Sequence, residues 1–176
     1  NVLYSMQNTN CSAPHTRKLV HYLVEVIESS LLDPELNPLA YSKSMYGLQF
    51  TSAEDELIRR LMRSMLALWP NRPRLNEQGY SMVLLGLKSM RNVYPEVQAA
   101  LNVVHDHLIR VNSISEKSLS VCFTGIQKMK SGEQNLDRLA MVLAGHIMAS
   151  NGPFKARTVC TMLHGMRGFN TQHKPT

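Results

Sequence analysis

The stretch YSKSMYGLQF, Tyr41 to Phe50, returns in altered form as YSMVLLGLKSM from Tyr80, LSVCFTGIQKM from Leu119 and VCTMLHGMRGF from Val159. Its glycines, Gly47, Gly86, Gly125 and Gly165, are separated by 39, 39 and 40 residues, and the shorter echo VLYSMQNT places Ser5 42 residues before Gly47. A recurrence at a period of about 20 to 50 residues is the signature of an array whose units bury their apolar faces against one another.

Counting from Leu36, Leu75, Ile114 and Phe154 as the first position, apolar residues recur at the sixth (Tyr41, Tyr80, Leu119, Val159), tenth (Met45, Leu84, Phe123, Leu163) and thirteenth (Leu48, Leu87, Ile126, Met166) positions. Steps of four and three mark one face of an α-helix and exclude strand alternation; this is helix A of each unit. About ten residues later a second set follows with the same steps: Ile58, Val97 and Leu136; Met62, Leu101 and Ala140; Met65, Val104 and Leu143; Trp69, Leu108 and Ile147. This is helix B. Thr51 and Glu54 have capping-box spacing ahead of one helix B, and Pro95 suits the first turn of another. Breakers at Pro70-Asn71-Arg72-Pro73, Asn112-Ser113 and Asn151-Gly152-Pro153 separate one hairpin from the next. The predicted fold class is all-α: a right-handed α-solenoid of helical hairpins with a ~39-residue period. It forms one domain over 1–176, with repeats at approximately 1–35 (partial), 36–74, 75–113, 114–153 and 154–176 (partial). Those bounds amount to about four and a half hairpins.

A glycine inside a helix costs about 1 kcal/mol relative to alanine, so four in register predict that helix A comes close to a neighbouring backbone there. The column Ser42, Ser81, Ser120 and Cys160 is read the same way, a small side chain bonding back to its own helix. The opening motif is therefore first a packing motif.

A formal net charge of +6 and a pI near 9.4 favour a polyanionic partner. The 44% apolar residues suffice for a core, yet no run of eighteen is long enough to span a membrane. Cys11, Cys122 and Cys160 show no short paired spacing and leave one over, which argues against a disulfide framework or a zinc module and for a reducing compartment. The chain begins at Asn1, inside a repeat, so a preceding segment is expected. His105-Asp106-His107 places its histidines two apart, on different helix faces. There is no phosphate-cradling loop, nucleophile elbow or HExxH helix; the acidic group Glu25, Glu28, Asp33 and Glu35 reads as a solvated face. No enzyme, cofactor, small-molecule substrate or metal site is expected.

Function is then sought on the part of helix A left over from packing. The fourteenth position holds Gln49, Lys88, Gln127 and Arg167, all long donors, with Lys128 beside Gln127. The row at positions four, eight and eleven reads Leu39, Lys43 and Tyr46; Gln78, Met82 and Leu85; Lys117, Val121 and Thr124; Arg157, Thr161 and His164. Donors and cations of this kind suit phosphates and base edges, and Tyr46 and His164 suit base stacking. Leu39, Met82 and Leu85 suit a protein ligand instead. After Asp137 no acidic residue occurs, whereas Arg138, Lys155, Arg157, Arg167 and Lys174 follow, with His146, His164 and His173 beside them. The predicted RNA-contacting set is Lys43, Tyr46, Gln49, Lys88, Lys117, Gln127, Lys128, Arg157, His164 and Arg167.

With a period of about 39 residues and the tetrad Tyr46-Gly47-Leu48-Gln49 near the end of helix A, the chain resembles the organellar α-solenoid proteins of the pentatricopeptide class. In style it is similar to the octotricopeptide repeats and the arrays that accompany RAP domains. Leu84-Leu85-Gly86-Leu87-Lys88 and Thr124-Gly125-Ile126-Gln127 keep the rhythm, His164-Gly165-Met166-Arg167 keeps less of it, and Leu3-Tyr4-Ser5-Met6-Gln7 lacks the glycine. The proline-rich opening of octotricopeptide units and a following RAP domain are both absent from this sequence, so neither a base-by-base code nor endonuclease activity carries over. The resemblance implies a non-enzymatic RNA-binding protein of a mitochondrion, or alternatively a chloroplast. Its partners would be RNA, in particular rRNA, and the neighbouring proteins of a ribosome or other ribonucleoprotein. The rival expectation is a protein-binding scaffold in an organellar complex.

Overall fold

A computed structural model describes residues 2–8, 13–29, 37–68 and 74–169. Among the described residues every element is helical. They are α1 (Val2–Ser5), α2 (Pro14–Glu28), α3 (Pro38–Gly47), α4 (Glu56–Ala67), α5 (Glu77–Leu87), α6 (Pro95–Leu108), α7 (Glu116–Gly125), α8 (Gln134–Met148) and α9 (Ala156–Gly165), with 3-10 turns at Met6–Asn8 and Met166–Gly168. Leu36, Trp69, the breaker at 70–73, Cys11, Asp33, Glu35, His173 and Lys174 lie outside the described residues.

The helices sort into two rows by contact. The A helices touch in chain order, α1 on α3, α3 on α5, α5 on α7 and α7 on α9, and the B helices do likewise, α2 on α4, α4 on α6 and α6 on α8. The core lies between and within these rows. Tyr41, Met45, Leu48, Tyr80, Leu84 and Leu87 are fully buried, Leu119, Phe123 and Ile126 nearly so, and the B columns contribute Ile58, Met62, Met65, Val97, Leu101, Val104, Leu108, Leu136 and Leu143. Each such side chain stabilises the fold by about 1.5–3 kcal/mol relative to exposure.

The glycine column is explained by distance. A Cβ placed on Gly47 would lie 1.8 Å from the Leu3 carbonyl oxygen, on Gly86 2.0 Å from that of Met45, on Gly125 2.5 Å from that of Leu84, and on Gly165 2.2 Å from that of Phe123. Each A helix thus seats its glycine on the tenth-position carbonyl of the A helix before it, a contact that any side chain would prevent. Ser42 donates to the Pro38 carbonyl at 2.6 Å, as expected of the small-residue column, but the buried Ser81 hydroxyl makes no such bond among the described residues. That column is buried at Ser42 and Ser81, half-buried at Ser120 and exposed at Cys160, because α9 has no A helix after it among the described residues.

Two local expectations are resolved differently. Thr51 and Glu54 do not form a capping box: Asp55 is the N-cap of α4 and accepts from Leu57 N–H at 3.0 Å, while the Thr51 hydroxyl donates to the Leu48 carbonyl beyond the end of α3. Asp55 wins because its carboxylate sits directly before the first helical residue, where it reaches an unpaired N–H. Pro95 does open α6. The A helices also have a cap column, with the side chains of Asn37, Asn76 and Ser115 accepting from Ala40, Gly79 and Ser118 N–H. Lys155 takes that place in α9 without a side-chain cap.

Polar clamps tie successive units. Glu77 accepts from the backbone N–H of Ser115 at 3.1 Å and from its hydroxyl, and Glu116 accepts from Lys155 N–H at 2.8 Å. Asn92 donates to the Lys130 carbonyl at 2.8 Å and accepts from Lys130 N–H at 3.0 Å. Between B helices, Arg60 pairs with Glu28 and Arg63 with Glu96. Gly132, at φ 102°, allows the turn before α8 that an L side chain would strain.

Candidate nucleic-acid interface

The row at positions four, eight and eleven is the part of the A helices that packing leaves accessible. Leu39, Gln78, Lys117, Arg157 and His164 are exposed, and Lys43, Tyr46, Met82, Leu85, Val121, Thr124 and Thr161 are half-buried. Helical spacing accounts for this, because four, eight and eleven lie opposite the positions that hold the buried columns.

The N-terminal end of the row is aromatic. Tyr4 stacks against Tyr46 with ring centroids 5.8 Å apart and an interplanar angle of 27°, and the Lys43 ammonium lies 6.0 Å from the Tyr4 ring. Tyr4 is absent from the sequence-predicted set. A signal for it exists, since it stands 42 residues before Tyr46, the same offset as Ser5 from Gly47.

The fourteenth position behaves differently from one unit to the next. Gln49 is buried, and its amide donates to the Gln7 carbonyl at 3.5 Å, so this side chain ties α3 to the preceding turn and does not meet solvent. Arg167 donates through Nε to the Gln127 carbonyl at 3.3 Å and lies 3.5 Å from His164 Nε2. Lys88 rests its ammonium 4.0 Å from the Phe50 ring centroid. Its pKa is held below the ordinary lysine value, first by burial and then by repulsion from Lys128. Lys88 and Lys128 therefore form a pair of like charges beside an aromatic face.

The arginines of α2 and α4 differ from the cations of the A helices in their partners. Every arginine of α2 and α4 has a carboxylate: Arg17 with Asp55, Arg59 with Glu56, Arg60 with Glu28, and Arg63 with Glu56 and Glu96. Among the described residues no ion pair engages Lys43, Lys88, Lys117, Lys128, Arg157 or Arg167. The A side, which also carries Glu77 and Glu116, thus has six cations outside any ion pair among the described residues, with Tyr4, Tyr46 and Phe50 beside them, and such a set suits a phosphate chain with bases to stack.

Among the described residues no group of three or more His, Cys, Asp or Glu side chains is arranged to hold a metal ion, and no helix is long and apolar enough to cross a membrane. Comparison with protein-family models, with curated proteins and with solved structures returns no match to this chain.

Proposed function

We propose that the two rows of helices form a right-handed α-solenoid of helical hairpins, and that this array is a non-enzymatic RNA-binding component of an organellar ribonucleoprotein such as a mitochondrial ribosome. The observation that carries the reading is the charge asymmetry: arginines neutralised by carboxylates on α2 and α4, cations without carboxylates along the accessible row of the A helices. In this reading Lys43, Lys88, Lys117, Lys128, Arg157 and Arg167 contact phosphates. Tyr46 with Tyr4, and His164 at the other end, stack on bases, while Gln127 stands at the edge of the same strip. Gln49 serves packing.

A phosphate between Lys88 and Lys128 would relieve their repulsion and so bind more strongly than at an isolated lysine. The array is short, so recognition rests on backbone charge more than on base edges, and affinity falls steeply with salt.

The test is binding of labelled single-stranded RNA across a salt series, with Lys43, Lys88, Lys117 and Arg157 changed together to alanine. Loss of four phosphate contacts lowers the slope of log affinity against log salt by about 3. Absence of binding at low salt, or a slope unchanged in the variant, overturns the RNA reading. The second reading is a protein scaffold, supported by Leu39, Met82 and Leu85, which interrupt the cationic row with apolar surface; it is favoured by absence of RNA binding at low salt.

A further inference from the structure

The residues just past the ends of three consecutive A helices come together. Phe50 follows α3, Lys88 is the C-cap of α5 and Lys128 follows α7. Gln49 and Thr51, on either side of Phe50, are buried, yet Phe50 is 57% exposed, so its ring is not part of the core. The Lys88 ammonium lies 4.0 Å from the ring centroid, and Lys128 is close enough to repel that ammonium. The same position of the other units holds Ser89, Lys128 and Gly168, so this column carries an aromatic ring where it meets Lys88 and not elsewhere.

A lone exposed phenylalanine requires no ligand, and cations suit the C-terminal ends of helices. Neither accounts for the combination. Lys88 is half-buried, gives up hydration, and stands beside a second cation with no carboxylate paired to either among the described residues. Such a pair costs stability until an anion joins it. The ring beside it supplies what a simple anion would not use, a flat apolar surface for a base.

We propose that Phe50, Lys88 and Lys128 form a subsite for one unpaired nucleotide, its base stacked on Phe50 and its phosphate held by the two ammonium groups. The inference rests on the RNA reading above and deepens it, naming Phe50 as the residue that requires an unpaired base. Stacking tolerates any base, because every base has a π-face, whereas a base inside a duplex has both faces covered by its neighbours. The subsite therefore favours single strands over duplexes without selecting a sequence.

The probes are a labelled oligouridylate, a base-free ribose-phosphate strand of the same length and a duplex RNA of the same length, each bound to the intact chain. Phe50→Ala lowers affinity for the oligouridylate by about 5- to 150-fold, the effect of losing one stacked base. It leaves the slope of log affinity against log salt unchanged, because no phosphate contact is lost. Affinities for the base-free strand and the duplex stay as they were, and Phe50→Tyr keeps the original affinity for the oligouridylate. Equal weakening on the oligouridylate and the base-free strand overturns the proposal, because Phe50 would then act only by placing Lys88. So does an oligouridylate affinity that Phe50→Ala does not change. Either result leaves the RNA reading standing, whereas absence of oligouridylate binding at low salt removes both.

Discussion

Individual residues divide between those set by backbone proximity and those set by solvent. Gly86→Ala would put a Cβ 2.0 Å from the Met45 carbonyl; the helices must separate, and the loss is about 1–3 kcal/mol or more. Gly145 in α8 meets nothing within 4 Å, so Gly145→Ala raises stability by about 0.4–1 kcal/mol. Urea unfolding of the two variants gives opposite shifts in midpoint; equal shifts would dismiss the close-approach account of the glycine column. Tyr80 is fully buried, and among the described residues its hydroxyl has no hydrogen-bond partner. The same column holds leucine at 119 and valine at 159, so Tyr80→Phe is neutral or stabilising by up to about 1 kcal/mol in thermal unfolding. Recurrence makes the glycines legible in the sequence, because four helix-disfavouring residues in register mark a backbone contact that repeats with the unit. The burial of Gln49 is not legible: a glutamine is written the same way whether it faces a phosphate or the carbonyl of Gln7.

At the scale of elements, carboxylates that cap the next helix add to the apolar contact between α5 and α7 and between α7 and α9. Glu77, in the first turn of α5, accepts from both the backbone and the hydroxyl of Ser115, the N-cap of α7, and these bonds hold its carboxyl below the usual glutamate value. Glu77→Ala should loosen the first turn of α7 while leaving α3 unchanged, at a cost of about 0.5–1.5 kcal/mol. Amide exchange measured helix by helix would show it, and uniform acceleration over the molecule would contradict a local clamp. The helices are readable from the four-and-three spacing, and the start of α6 from Pro95. The start of α4 is not, because Thr51 and Glu54 have the right spacing in the wrong place, and only the fold shows that Thr51 is engaged with Leu48. The caps at Asn37, Asn76 and Ser115 recur as regularly as the glycines, but capping residues are common enough in turns that the column does not stand out.

For the whole molecule, the clamps make stability depend on acid in a definite direction. Glu28 is held below the ordinary glutamate value chiefly by Arg60, Glu56 by Arg63, Glu77 by Ser115, and Glu116 by Thr158 and then by Lys155 N–H. Each carboxyl binds its proton less readily folded than unfolded, so the stability it contributes is complete above the unfolded pKa and disappears as pH falls through the folded one. The thermal midpoint should therefore be level from neutral pH down to about 5 and fall below about 4.5. Changing Glu77 and Glu116 together to glutamine should lower the plateau and flatten the acid limb, because glutamine has no proton to gain. Lys88 acts in the opposite sense at the alkaline end: its folded pKa is depressed, so its charge costs stability until pH rises through that value. An anion seated between Lys88 and Lys128 removes that cost and takes up a proton. RNA affinity should then weaken at a lower pH than an ordinary lysine would dictate, and Lys128→Ala should shift that weakening upward by removing the repulsion. A titration of affinity against pH for both proteins decides it, since coincident curves would mean that the Lys88–Lys128 pair does not meet the ligand.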